Sequence, residues 1–192
     1  MERIFTILIL SIVLFLYSCR QNSDEPFNLD FERVKVGQTL PDRWTRWGDN
    51  DYTLAIDAAV KQHGNYSVMI TSASGMPKNR SAGFITPIPV RVKSGEIILE
   101  GYIRTEAITN GFAGLVLQTD QADKILDYRD MHEQHLDGNN NWKKYSVSAP
   151  CRPGITEIYV GGTLSGSGKA WFDSFNVLIN DVSIGNSVPE NN

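Results

Sequence analysis

The stretch AWFDSFNVLI, residues 170–179, carries a carboxylate where a strand should be apolar. Trp171, Phe175, Val177 and Ile179 alternate along one face, and Asp173 falls in phase with them. A core-facing carboxylate is costly unless it is paired, hydrogen-bonded or bound to a metal. Asp173 is therefore a candidate general acid, metal ligand or structural anchor, and residue type alone leaves all three open.

Other chemical groupings are weaker. HEQH, residues 132–135, has three-residue spacing, which on a strand points His132 and His135 apart. It lacks the i, i+4 pair of a zinc-peptidase helix and reads as a polar loop. GGTLSGSGK fails as a phosphate loop, because Thr163 stands where glycine is needed and Ala170 where Ser or Thr is needed. The same stretch has no Gly-x-Ser-x-Gly elbow. The only histidines are His63, His132 and His135, and none pairs with an evident nucleophile.

Aromatic residues are the better signal. Sugars are held by flat rings against an apolar sugar face, with amides, carboxylates and Arg around them. PDRWTRWGDNDY supplies Trp44, Trp47 and Tyr52. Trp44 is assigned to the core, while Trp47 is either a rim contact or a packing residue. In EIILEGYIRTE, Ile97, Leu99 and Ile103 mark the core face and Glu100, Tyr102 and Arg104 the other. In AGLVLQTD, Leu115 and Leu117 face in while Val116, Gln118 and Asp120 face out. Tyr102, Arg104 and Gln118 on one side could form a binding face, or an ordinary solvated sheet surface with cross-strand pairs. Trp142 and Trp171 are assigned to the core.

The elements that must position these residues are strands. SVMITSA, GFITPIPV, EIILEGYIRTE, AGLVLQT, KKYSVSAP, TEIYVGGTL and AWFDSFNVLI are short runs punctuated by Gly, Pro, Asn and Ser. YTLAIDAAVKQHG fits a helix, or a strand followed by a turn at His63–Asn65. The pattern predicts an all-β sandwich or barrel in a single domain.

The 192 residues are 41% hydrophobic and 21% charged, with net charge −4, which argues against nucleic acid as partner. MERIFTILILSIVLFLYSC has Arg3, then an apolar run from Ile4 to Tyr17 that is short for a membrane-spanning helix. It reads as a signal peptide over 1–18. LYSC resembles a bacterial lipobox, which would place cleavage before Cys19 and lipid on that cysteine. Residues 19–27 then form a lipidated cysteine and polar tether, 28–180 the domain and 181–192 a polar tail. Asp24-Glu25 resembles the acidic signal that sends some lipoproteins to the outer surface of the outer membrane. With Cys19 lipidated, Cys151 has no disulfide partner and reads as a small buried residue.

NLDFE (Asn28–Glu32), LPDRW (Leu40–Trp44), HGNYSVMI (His63–Ile70), LEGYIRTE (Leu99–Glu106), GFAGLVLQTD (Gly111–Asp120), NWKKYSV (Asn141–Val147) and LSGSGKAWFDSF (Leu164–Phe175) occur in this order. The ordered set resembles the galactose-binding-domain-like jelly roll of the carbohydrate-binding modules. More narrowly, it is similar to the domain preceding the catalytic domain in some bacterial tail-specific serine peptidases and erythromycin-esterase-like proteins. The resemblance implies a jelly-roll β-sandwich of two antiparallel sheets, with ligand on one sheet face or at the loop rim. It also implies a structural calcium where the first strand meets the last, with Glu32 and Asp173 as side-chain ligands.

The face departs from such relatives. Val116 and Gln118 stand where Trp and Arg are frequent, and Tyr128-Arg129-Asp130-Met131 where Phe-Asp-Asn-Met is frequent. Gln134 and Asn141 replace an expected Arg and Asp.

The resulting expectation is a non-catalytic, lipid-anchored envelope protein that binds a glycan. Its candidate ligand residues are Trp47, Tyr102, Arg104, Gln118 and Tyr128. A protein–protein or accessory module of an envelope complex is the alternative, and an undetected hydrolase the second. Membrane contact is expected through the lipid alone.

Overall fold

The computed structural model describes residues 27–122 and 124–185. The signal peptide, Cys19, the tether through Pro26 and residues 186–192 lie outside the described residues. The strands are β1 (Thr45–Gly48), β2 (Tyr52–Asp57), β3 (Ser67–Ser72), β4 (Ser81–Pro89), β5 (Glu96–Thr109) and β6 (Ala113–Gln121). They continue with β7 (Lys124–Asp130), β8 (Gly138–Pro150), β9 (Glu157–Ser165), β10 (Ser167–Ile179) and β11 (Val182–Ser183). A five-stranded sheet runs β1-β4-β9-β6-β7, and a six-stranded sheet runs β2-β3-β10-β5-β8 with β11 beside β10. All pairings are antiparallel. This is the jelly-roll β-sandwich, and YTLAIDAAVKQHG takes its strand-and-turn form.

Alternation explains which side chains meet between the sheets. Ile97, Leu99 and Ile103 of β5 are buried against Leu115 and Leu117 of β6 and Ile158, Val160 and Leu164 of β9. The segment before β1 contributes as much as a strand would. Phe27, Leu29, Phe31 and Trp44 are all buried. The Phe31 ring lies 5.1 Å from Trp44 and 5.0 Å from Phe175, edge to face. Each such buried ring contributes about 2–3 kcal/mol through removal of apolar surface from water. Phe27 thus belongs to the core, not to the tether.

A bulge in β10 overturns part of the expected phase. Asp173 pairs with Tyr102 and Asn176 with Glu100, so Ser174 and Phe175 together oppose Gly101. Ser174 takes φ 50°. Gly101 is required there, because a Cβ on it would lie 2.5 Å from Phe175 Cδ1. Before the bulge Ala170 and Phe172 point into the core; after it Phe175, Val177 and Ile179 do. Trp171 and Asp173 therefore occupy the outer face of the six-stranded sheet, not its core face.

Trp142 is corrected likewise. It is half-buried, shares its phase with Lys144 and lies outside the core cluster. The tail also begins later than expected: β11 pairs with β10, and Ile184 is buried.

Candidate binding face

The outer face of the five-stranded sheet gathers the best set of ligand-type side chains. Tyr159 of β9, Gln118 of β6 and Tyr128 of β7 are direct cross-strand neighbours in one row. Ile158 and Val160 point in, so alternation turns Tyr159 out. Two tyrosines therefore flank an amide at successive strand spacings. The next rows add Asp130 opposite Val116, and Glu157 and Ile125 on either side of Asp120. Gln118 Nε2 donates to Asp120 Oδ1 at 2.9 Å, which fixes the amide and leaves its carbonyl oxygen as an acceptor. Ile125 and Tyr128 are 57% and 47% exposed, large apolar groups at the open edge of the sheet. Burial pushes the Tyr128 hydroxyl above its ordinary pKa, and the Asp130 charge adds to this.

Trp47 lies on the same face but far from that row: β1 and β7 are the two edges of the sheet, and Trp47 shares its row with Gly83, Thr163 and Gly114, four residues along β6 from Gln118. It is half-buried, because its indole rests on Gly83: a Cβ there would sit 2.6 Å from Trp47 Nε1. Only glycine permits that approach. The Nε1 atom is closed off from solvent and has no hydrogen-bond partner among the described residues. Trp47 is thus both packed and part of the outer surface.

The expected grouping of Tyr102, Arg104 and Gln118 does not form. β5 belongs to one sheet and β6 to the other, so Tyr102 and Arg104 face away from Gln118 across the whole sandwich. Gln118 and Tyr128 are neighbours, while Trp47 shares their face at the opposite edge of the sheet. Tyr159 was missed by sequence reasoning, although the alternation in TEIYVGG marks it as outward-facing.

Asp173 and Glu32 converge on one loop from two directions. Asp173 is 1% exposed; its Oδ2 accepts from the backbone N–H of Gln62 at 2.7 Å and of His63 at 3.1 Å. Ser174 Oγ is 3.1 Å from Oδ1. Burial raises the Asp173 pKa, and these donors oppose the shift. Glu32 Oε1 accepts from the N–H of Asn65 and Tyr66, and Oε2 from Asn65 Nδ2 at 2.9 Å. N–H donors aimed at both carboxylates suit an anion and repel a cation. The pair does not fit a calcium shell, which is built of oxygen donors. Together they bind the β2–β3 loop to the bulge and to the N-terminal segment, where Phe175 N donates to Leu29 O at 2.9 Å.

HEQH is the expected polar loop, a short 3₁₀ turn over His132–Gln134 with no buried residue. His132 Nδ1 contacts Asp130 Oδ1, and this hydrogen bond raises its pKa. Among the described residues, no three His, Cys, Asp or Glu side chains cluster as metal ligands would.

No protein-family model and no curated protein matches the chain. Solved structures do. The enzymatically active domain of tailspike protein 4 from bacteriophage CBA120 is 14% identical with a TM-score of 0.55, over 77% of this chain and 20% of that one. A Stig cyclase from Fischerella sp. TAU is 13% identical with a TM-score of 0.54, over 78% of this chain and 93% of that one. The CBM22-1 and GH10 modules of endo-1,4-β-D-xylanase 10B from Clostridium thermocellum, complexed with xylohexaose, are 13% identical with a TM-score of 0.51. That match covers 77% of this chain and 27% of the xylanase chain, so this chain spans only a minor part of the tailspike and the xylanase. What these proteins share with the present chain is the jelly-roll β-sandwich.

Proposed function

We propose that the protein is a non-catalytic binding module that takes carbohydrate on the outer face of its five-stranded sheet. In this reading it is held by lipid on Cys19 at the bacterial outer membrane, facing outward. The observation that carries the reading is the row Tyr159–Gln118–Tyr128. In this reading the Tyr128 ring, with Tyr159 two strands away, would pack on a pyranose, and the Gln118 carbonyl oxygen, which its bonds to Asp120 leave unclaimed, would accept from a sugar hydroxyl. The same fold occurs in the xylanase modules found with xylohexaose. Asp120 stands opposite Glu157, a pair of carboxylates that a hydrolase would need, but the Asp120 oxygens are engaged by Gln118. A platform suits binding better than turnover.

The test is a glycan array with the full chain in detergent. Reproducible hits that weaken about tenfold in Gln118→Ala and Tyr128→Ala support the reading, since each stacked ring or buried amide contributes about 1–2 kcal/mol. A blank array from well-folded protein overturns it. Exposed Ile125 and Tyr128 on the edge strand β7 then favour an envelope protein partner, detected by co-purification and lost in Ile125→Asp.

A further inference from the structure

The outer face of the six-stranded sheet holds a second, differently built depression. β5 and β8 shift register between Ile103 and Thr105 and again between Thr105 and Ile108, and Ala107 takes φ 52°. These irregularities open a polar cleft of about 400 Å³ lined by Arg104, Thr105, Glu106, Asn139, Asn140 and Asn141. Charges on this face are matched almost throughout. Lys144 pairs with Glu100 at 2.7 Å and Lys169 with Glu106 at 3.2 Å. Asp57 accepts from Trp171 Nε1 at 2.9 Å, and Asp173 from the loop N–H groups. Arg104 is the exception. Its guanidinium carbon lies over the Trp171 ring, 5.5 Å from the centroid, and no carboxylate or carbonyl of the described residues takes its N–H donors. The contact holds the guanidinium against the indole and leaves its N–H donors unclaimed, and such a planar fork can receive a carboxylate with two parallel hydrogen bonds.

The asparagines around it are partly committed. Asn139 Oδ1 accepts from Ala107 N at 2.8 Å, which leaves its NH₂ group. Asn140 Nδ2 donates to Thr105 Oγ1 at 2.9 Å, which leaves its carbonyl oxygen. Asn141 is exposed. The cleft thus combines one planar cation with amide donors and acceptors suited to hydroxyls. Glu106 enters it as a carboxylate already neutralised by Lys169.

We infer that this cleft is a second binding site, specific for a carboxylated sugar such as a uronic acid residue, with Arg104 receiving the carboxylate. The sugar part of this inference rests on the glycan-binding reading; the carboxylate part rests on Arg104 alone. The two faces lie on opposite sides of the sandwich, so one molecule would engage two glycan segments.

The test is calorimetry on the full chain in detergent, with tetragalacturonate and with its methyl-esterified form, which keeps the shape and removes the charge. The acid should bind at least about tenfold more tightly than the ester, and added salt should weaken the acid alone. Arg104→Gln should erase that difference. Arg104→Lys, which keeps the charge and the contact with Trp171 but not the planar fork, should retain only part of it. Equal binding of acid and ester, binding of neither, or a preference that survives Arg104→Gln overturns the inference. Tyr128→Ala separates the two readings. A neutral glycan lost in Tyr128→Ala without any acid preference leaves the five-stranded face standing and removes the cleft. An Arg104-dependent preference with no Tyr128-dependent glycan removes the face and leaves the cleft.

Discussion

Asp173 shows how a single buried charge can be structural. Two backbone N–H groups from another loop end on one of its oxygens. Asp173→Ala would strand both donors in a closed setting and should cost about 2–4 kcal/mol, read as a lower midpoint in urea unfolding. Asp173→Asn can still turn its amide oxygen to that loop and should cost less than half as much. A calcium site would behave differently: the asparagine variant would lose most of the stabilisation, and chelator would lower the melting temperature of the native chain. Chelator is expected to leave that temperature unchanged. His132 gives a second check at this scale. Its folded pKa is raised by Asp130, so the favourable interaction is complete below the unfolded value near 6.5 and is lost as pH rises through the folded value. Its NMR titration midpoint should lie above 6.5, and Asp130→Asn should bring it down to about that value. An unshifted midpoint in the native chain would mean that the Asp130 contact does not persist in solution.

Among the elements, β10 determines most of the architecture. One extra residue at Ser174–Phe175 changes which face its side chains occupy, so the same strand supplies Phe172 and Phe175 to the core and Trp171 to the opposite surface. Trp171 is held there by Asp57, whose pKa is raised by burial but lowered further by the indole N–H and by the backbone N–H groups of Val60 and Ala59. The net depression means this contact stabilises the fold above the ordinary Asp value near 4 and is lost as pH falls through the folded pKa. Asp57→Asn should flatten the acid limb of the stability curve in that range and alter Trp171 fluorescence. Tyr52 anchors the start of β2 to the turn between β9 and β10, its hydroxyl 2.8 Å from Gly166 O and 2.7 Å from Arg80 O. Burial pushes its pKa up to about 12. Tyr52→Phe should therefore destabilise the protein by about 1–2 kcal/mol without altering glycan binding.

At the level of the molecule, two sheets turn two unlike surfaces outward. One is a platform of rings and amides; the other is a cleft around an unpaired guanidinium. A chain tethered by lipid would leave both faces free to meet extended polymer at the cell surface. The tether itself is testable: Cys19→Ser should abolish labelling by radioactive palmitate and move the protein from the membrane fraction to the soluble fraction.

Much of this was legible in the sequence because it is local. Alternation in EIILEGYIRTE and AGLVLQTD assigned Ile97, Leu99, Ile103, Leu115 and Leu117 to the interior and Gln118 to the outside, and turn residues bounded the strands. What the sequence could not determine was which strand lies beside which. β5 and β6 are consecutive yet belong to opposite sheets, so Arg104 and Gln118 look like neighbours and are not. A strand's own pattern carries its period but not its partner. One bulge residue shifts that period without any local mark, as it did for Trp171 and Asp173. The pairing of β10 with β5, the donors from Gln62 and His63 and the row Tyr159–Gln118–Tyr128 join residues tens of positions apart. Only packing of the whole chain decides such contacts, because burial of the shared core selects one set of strand neighbours over the others.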